Sequence, residues 1–259
     1  MTSAWLISNI LWISLILLLA SALCGRKRLA SPGWALFGIY WLIQPAHYIA
    51  IEDYFNAALA FLAGIFCFYL AWIILIKGCK SQACTWASYA AAICGIIYFP
   101  FAEVESLQNW LIGLTTLITA KTLNAFYVPV IMESWNTLVL NGRTVEIILA
   151  CTAIESIALF AGVIISVQAP PGRRMVALLA STLAIYVLNV LRNSFVLMAY
   201  GWDWFGVDSF HVAHNIIAKA GSTIALLAIA YLVFALLPEL LAVIDQLAAE
   251  IKHPGGDAA

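Results

Sequence analysis

Apolar runs of about twenty residues recur along this chain and constrain it more than any other feature. A helical segment of that length spans the hydrocarbon core of a bilayer and satisfies its backbone groups internally. Seven such runs stand out: Ala4–Cys24, Gly33–Ile51, Asn56–Ile76, Cys84–Phe101, Val145–Val167, Met175–Tyr200 and Val212–Leu237. The second is the most polar, interrupted by Gln44, Pro45 and His47. With 64% hydrophobic and only 10% charged residues, the chain has far too little polar surface for a soluble domain. The expected fold is all-α, a polytopic integral membrane helix bundle of about seven transmembrane helices, forming a single domain over residues 1–259.

Charge sets the expected orientation. Arg26, Lys27 and Arg28 separate the first two runs, Lys77 and Lys80 the third and fourth, and Arg173 and Arg174 the fifth and sixth. Seven spans bring all three basic loops to one face, which the positive-inside rule makes cytoplasmic. The N-terminus is then outside and the C-terminus cytoplasmic. The basic residues follow the first run rather than precede it, which predicts a retained span and not a signal peptide. Leu107–Phe126 has Leu107, Trp110, Leu114, Leu117 and Ile118 on one side of a helix and Gln108, Thr115, Thr119 and Thr122 on another. That pattern predicts an outer interfacial helix within an extracytoplasmic loop at residues 103–143.

Composition also excludes function classes. A net charge of -1 lacks the basic footprint of nucleic-acid binding. Most of the six cysteines lie within apolar runs, so no disulfide framework is expected. Cys79 and Cys84 have no cluster of further ligands near them, so no metal is expected, and no cofactor.

Three polar faces remain to be explained. Cys151 and Glu155 lie four residues apart near the start of the fifth run. Asn189, Arg192 and Asn193 stand at i, i+3 and i+4 of the sixth, and so share a helix face. His211, His214, Asn215, Lys219 and Ser222 fall within one broad stripe of the seventh. On the expected topology Cys151 lies about 7 Å below the outer end of its span, and all three groups occupy the outer half of the membrane. A charge inside a span costs about 2.5–3.5 kcal/mol on insertion scales and normally points into the bundle. The three faces therefore predict a polar pocket open to the outside.

Each residue also has a plainer reading. Cys151 packs comfortably as a small apolar residue, Arg192 pairs with Glu155, Lys219 pairs or snorkels, and His214 bonds a backbone carbonyl. Together they suit thiol chemistry. A cysteine attacks as thiolate, apolar surroundings raise its pKa, and a working cysteine needs a cation or base beside it. A transporter pathway would continue across the bilayer, whereas the inner halves of the last three runs are almost wholly apolar.

At these residues the sequence resembles the exosortase/archaeosortase family of membrane-embedded transpeptidases. Three motifs carry the likeness: Ala150-Cys151-Thr152-Ala153-Ile154-Glu155-Ser156, Asn189-Val190-Leu191-Arg192-Asn193, and the stretch from His214 to Ser222. The likeness runs broadly from Ile51 onward. It implies an archaeal membrane enzyme with its active site near the extracytoplasmic face. It also implies cleavage of C-terminal tails of exported surface proteins, each tail a short Pro-Gly-Phe-type signature, a span and a basic cluster. The new C-terminus then passes to a membrane lipid as acyl acceptor. In the matching roles, Cys151 is the nucleophile that forms an acyl-enzyme. Arg192 stabilises thiolate or oxyanion, and His214, with Lys219 as its rival, carries the proton. Glu155, Asn189, Asn193, His211 and Asn215 bind substrate or support the site. The family often has glycine where this chain has Ala153, and commonly an uncharged residue where it has Glu155. An intramembrane cysteine protease would share the thioester intermediate, so cleavage without transfer stays open beside transpeptidation.

Overall fold

The computed structural model describes residues 2–50, 52–77 and 81–252, and its chain is about 83% helical. In chain order the elements are α1 (Thr2–Leu23), α2 (Ala30–Ala50), α3 (Tyr54–Trp72, continued as a π-turn over Ile73–Lys77), α4 (Gln82–Glu103) and α5 (Glu105–Ala125). Three short strands follow, β1 (Ile131–Ser134), β2 (Thr137–Leu140) and β3 (Arg143–Glu146). A 3-10 turn at Leu149–Cys151 leads to α6 (Ile154–Ser166) and α7 (Pro171–Gly201). A π-helix at His211–Ala218 runs into α8 (Lys219–Leu236), and α9 (Pro238–Lys252) completes the chain. An all-α polytopic membrane bundle is thus the architecture, with one small sheet added.

Five of these helices are long and apolar enough to cross a bilayer: Trp5–Leu23, Tyr54–Ile76, Gln82–Glu103, Pro171–Gly201 and His211–Leu236. They match five of the expected runs to within a few residues. The run with Gln44, Pro45 and His47 is also helical, as α2, but is not among the five. The remaining run, Val145–Val167, is not one helix. Its first residues belong to β3, and only the 13 residues of α6 are α-helical. Ile51, Cys79 and Lys80 lie outside the described residues. Cys24, Cys67, Cys94 and Cys151 are free, while Cys84 is disulfide-bonded.

The chain divides into two compact units. The first comprises residues 1–96, 162–168 and 238–259. Within it α2 and α3 approach closely at Gly38 and Gly64, where a Cβ on Gly64 would meet Leu42 at 2.6 Å and the Gly38 carbonyl at 3.3 Å. Helices in lipid gain little from apolar burial against each other, so small residues that let backbones meet supply the contact. Hydroxyl and indole donors add to it: Ser14 to the Gly33 carbonyl (3.0 Å), Ser31 to that of Ala71 (3.0 Å) and Trp34 Nε1 to Ser88 Oγ (3.0 Å).

The second unit, residues 97–161 and 169–237, contains every residue of interest for chemistry. In α5 the threonines turn inward. Thr115, Thr116 and Thr119 are buried with Leu111, Ile112 and Leu123, while Leu107, Trp110 and Leu117 are exposed. Thr115 and Thr116 donate to the carbonyls of Leu111 and Ile112 (2.9 Å each), so their hydroxyls are satisfied within the helix. The apolar residues are left outside, a surface suited to lipid rather than water.

The sheet is an antiparallel meander, β1-β2-β3, that the sequence analysis did not foresee. Asn141 and Gly142 both have positive φ (52° and 77°) and close a two-residue hairpin with Leu140 opposite Arg143. Left-handed φ at both central residues defines the type I′ turn, for which Asn-Gly is the preferred pair. Leu138, Leu140, Val128, Val130 and Ile147 pack with Ile112, Leu123 and Leu197 into one core that binds the sheet to α5 and α7. Gly201 permits the closest approach, since a Cβ there would meet Leu140 at 2.6 Å.

Candidate active site

The nucleophile candidate is positioned by the sheet. From β3 the chain passes Ile147, whose N–H donates to the Asn136 carbonyl (2.8 Å), then Ile148 in extended conformation, then the turn ending at Cys151. Cys151 therefore does not sit within a transmembrane helix, and it does not share a helix face with Glu155. Pairing with β2 takes up residues 143–146 before any helix begins. Ala153, at φ 64°, then interrupts the right-handed path, and α6 starts at Ile154. An L-residue in that left-handed region is strained by about 1–2 kcal/mol.

Two amides hold the turn in place. Asn189 and Asn193 both donate through Nδ2 to the Cys151 carbonyl oxygen, at 2.7 and 2.9 Å. They stand one helical turn apart on α7 and so reach the same acceptor. Asn193 is buried and Cys151 and Asn189 are half-buried. Thr152 is buried too, its hydroxyl donating to the Leu149 carbonyl (2.7 Å).

Arg192 shares that face of α7. Its Nε is buried and has no hydrogen-bond partner. No ion pair joins it to Glu155 among the described residues. Glu155 instead lies exposed in the first turn of α6 and accepts a long bond from Tyr98 Oη (3.4 Å). A carboxylate there suits the positive end of the helix dipole.

The π-helix supplies the third face. Its wider winding is uncommon and recurs at functional sites. Asn215 Nδ2 lies 3.1 Å from His211 Nδ1. His214 is half-buried, and its ring stacks on Phe210 with centroids 5.2 Å apart and planes within 8°. The charges of Arg192 and Lys219 both act on the His214 ring. Lys219 itself is exposed at the start of α8.

Beside the site, Asn141 Nδ2 donates to the Gly201 carbonyl (3.1 Å). Arg143 meets both oxygens of Asp203 at 3.0 Å while lying over the Tyr200 ring. The Asp203 carboxylate pushes the Arg143 pKa up from its ordinary value, chiefly through that hydrogen bond. These contacts tie the hairpin turn to the end of α7. A separate groove of about 560 Å³, lined by Asn109, Trp110, Gly113, Leu114, Leu117 and Trp135, contains none of the candidate residues. Among the described residues no three His, Cys, Asp or Glu side chains gather closely enough to hold a metal ion.

The sequence pattern singles out the asparagines but not what they hold, and as read above it marks neither the sheet nor the Phe210 stack. The Asn141-Gly142 pair between alternating residues was the available signal for the sheet. Nothing comparable marked Phe210.

Chemically, the arrangement offers a thiol on a clamped turn, an unpaired guanidinium donor on the clamping face, and an imidazole within reach of that guanidinium's charge. The profile of the transmembrane exosortases matches residues 5–234. The chain is similar to archaeosortase A of Natronomonas pharaonis (27% identical, covering 91% of this chain and 85% of that protein). It is also similar to archaeosortase A of Haloferax volcanii (29% identical, covering 93% of each). No solved structure matches the chain.

Proposed function

This chain belongs to the transmembrane exosortase family, and from that premise we propose that it is a membrane-embedded cysteine transpeptidase of protein sorting. Its substrates are exported surface proteins whose C-terminal tails carry a short Pro-Gly-Phe-type signature, a span and a basic cluster. The reaction takes place near the extracytoplasmic face, with the N-terminus outside and the C-terminus cytoplasmic. The single observation that carries the assignment is the convergence of Asn189 and Asn193 on the Cys151 carbonyl. It fixes the thiol's turn against the helix face that presents Arg192.

The steps follow from the residues. The Cys151 thiol gives up its proton to the His214 imidazole, and the thiolate attacks the scissile carbonyl carbon. Arg192 donates to the oxyanion of the tetrahedral intermediate, for which a buried Nε–H without a partner is already available. The C–N bond breaks as His214 returns the proton to the leaving amine, and a thioester remains on Cys151. A nucleophile on a membrane lipid then attacks the thioester, its proton passing to His214 and back to the sulfur as the thiol leaves. Lys219 is the rival for the proton-carrying role. Hydrolysis of the same thioester is the second reading, favoured by the half-exposed setting of Cys151.

The test is processing of a reporter substrate in cells. Cys151→Ser and Cys151→Ala should abolish it with membrane insertion unchanged. Retained processing in both would end the covalent mechanism. Mass spectrometry of the product's C-terminus separates the two readings, since a free carboxylate would leave only hydrolysis.

A further inference from the structure

The outer edge of β3 is unpaired. Within the sheet, β3 pairs only with β2, in the register Leu140–Arg143, Val139–Thr144, Leu138–Val145 and Thr137–Glu146. The bond from Ile147 N–H to the Asn136 carbonyl fixes the phase of the ladder. Pairs related to it by two residues, Leu138–Val145 and Leu140–Arg143, exchange hydrogen bonds, while Val139–Thr144 and Thr137–Glu146 do not. The N–H and C=O groups of Thr144 and Glu146 therefore point away from β2. Both residues are exposed, and no other backbone partner meets these groups among the described residues.

We propose that this edge binds the substrate's sorting segment in extended form, as a fourth strand beside β3. The proposal rests on the function assigned above and names how that same site receives its peptide. Position supports it: Ile148 is extended, so the edge continues about 7 Å past Glu146 at 3.3 Å per residue, up to the 3-10 turn that ends at Cys151. A few residues of peptide running past β3 bring a carbonyl carbon to the thiol. Chemistry supports it too. An extended peptide offers its own N–H and C=O groups to a free edge, so main-chain hydrogen bonds supply affinity while every second side chain remains available for selection. The edge is only four residues long and carries Arg143 and Glu146, features that resist pairing between copies of the chain.

Proline at position 144 tests the edge selectively. It removes an N–H that the β2 ladder does not use, at an edge position that tolerates proline. Thr144→Ala keeps that N–H and serves as control. The probe is a synthetic peptide carrying the Pro-Gly-Phe segment, cleaved by the full-length enzyme in detergent. Thr144→Pro should raise KM about threefold to tenfold, the effect of one lost hydrogen bond, with kcat and the alkylation rate of Cys151 unchanged. Thr144→Ala, which keeps the N–H, should raise KM far less than Thr144→Pro does. An unchanged KM in a Thr144→Pro protein with normal Cys151 alkylation would overturn the proposal. Should that variant fail to insert, N-methylation of successive peptide amides against the unsubstituted enzyme decides. Sensitivity should alternate with a period of two, and a flat profile would overturn the proposal. Cys151→Ala in the same assay separates the premises. Loss there with a normal Thr144→Pro removes the edge alone, whereas retained cleavage removes the nucleophile itself.

Discussion

Asn193→Ala removes one of two donors from the Cys151 carbonyl, and its effect follows from the turn that carbonyl belongs to. Ala153, at φ 64°, disfavours the observed turn by about 1–2 kcal/mol. The two amide bonds, at 2.7 and 2.9 Å, contribute about 1 kcal/mol each. Strain and clamp therefore nearly balance. Losing one bond leaves the turn under-held by about 1 kcal/mol, so processing should fall roughly fivefold to tenfold. Ala153→Gly in the same background should restore most of that loss, because glycine adopts positive φ without steric strain. The assay is reporter processing by the unsubstituted enzyme, both single variants and the double variant, normalised to inserted protein. Cys151 alkylation, followed by mass spectrometry, reads the turn independently of catalysis. A double variant no faster than Asn193→Ala would refute the balance of strain and clamp.

Arg192→Lys should process at least tenfold more slowly, since one ammonium cannot reproduce a planar fork of donors. Rescue of Arg192→Met by Glu155→Gln would show instead that the arginine only neutralises a carboxylate. For the proton carrier, His214→Gln should abolish the rise of rate with pH while Lys219→Met keeps it; the opposite result, read from pH profiles of both variants, would assign the role to lysine. Gly201→Ala should destabilise the second unit by about 1–3 kcal/mol, because a Cβ 2.6 Å from Leu140 forces the sheet off α7; a thermal melt in detergent measures it. Thiols introduced at Ser106 and Val207 should react with an impermeant reagent from outside, and one at Ser81 only after lysis. Val207 is fully exposed, unlike its neighbour Ser209. Reaction at Ser81 in intact cells would invert the proposed orientation.

Helices were the legible part of the fold. Apolar length alone located α1, α4, α7, and α3 and α8 with their adjoining π-helical turns, to within a few residues, because spanning a bilayer leaves little choice of length or hydrogen bonding. The same criterion failed at Val145–Val167. Val145, Ile147, Ile148 and Leu149 are as apolar as a span requires, yet Ile147 is buried against a sheet. Apolar content does not distinguish a buried strand from a helix; the Asn141-Gly142 turn does, through its conformational demand. In α5 the two sides of the helix were legible but the sense of burial was not. Thr115 and Thr116 face inward there because each donates to a carbonyl one turn back. At the site, spacing on α7 placed Asn189, Arg192 and Asn193 on one face, and they do share it. The acceptor those amides would find depended on where the chain stopped being a helix, which periodicity does not encode.

The break between β3 and α6 also bears on the fate of the proposed acyl-enzyme. Backbone that is neither helix nor closed sheet persists at a membrane only among protein groups or beside water, and Ile148 and Ala150 in this stretch are exposed. A thioester on Cys151 then meets two competing acceptors, solvent and lipid, and the products divide according to their relative rates. Yield becomes a question of partitioning. A poorly supplied lipid would leave cleavage intact and spoil only attachment, releasing correctly trimmed proteins into the medium. Secreted and anchored forms of one substrate, counted side by side, would report how long the intermediate waits.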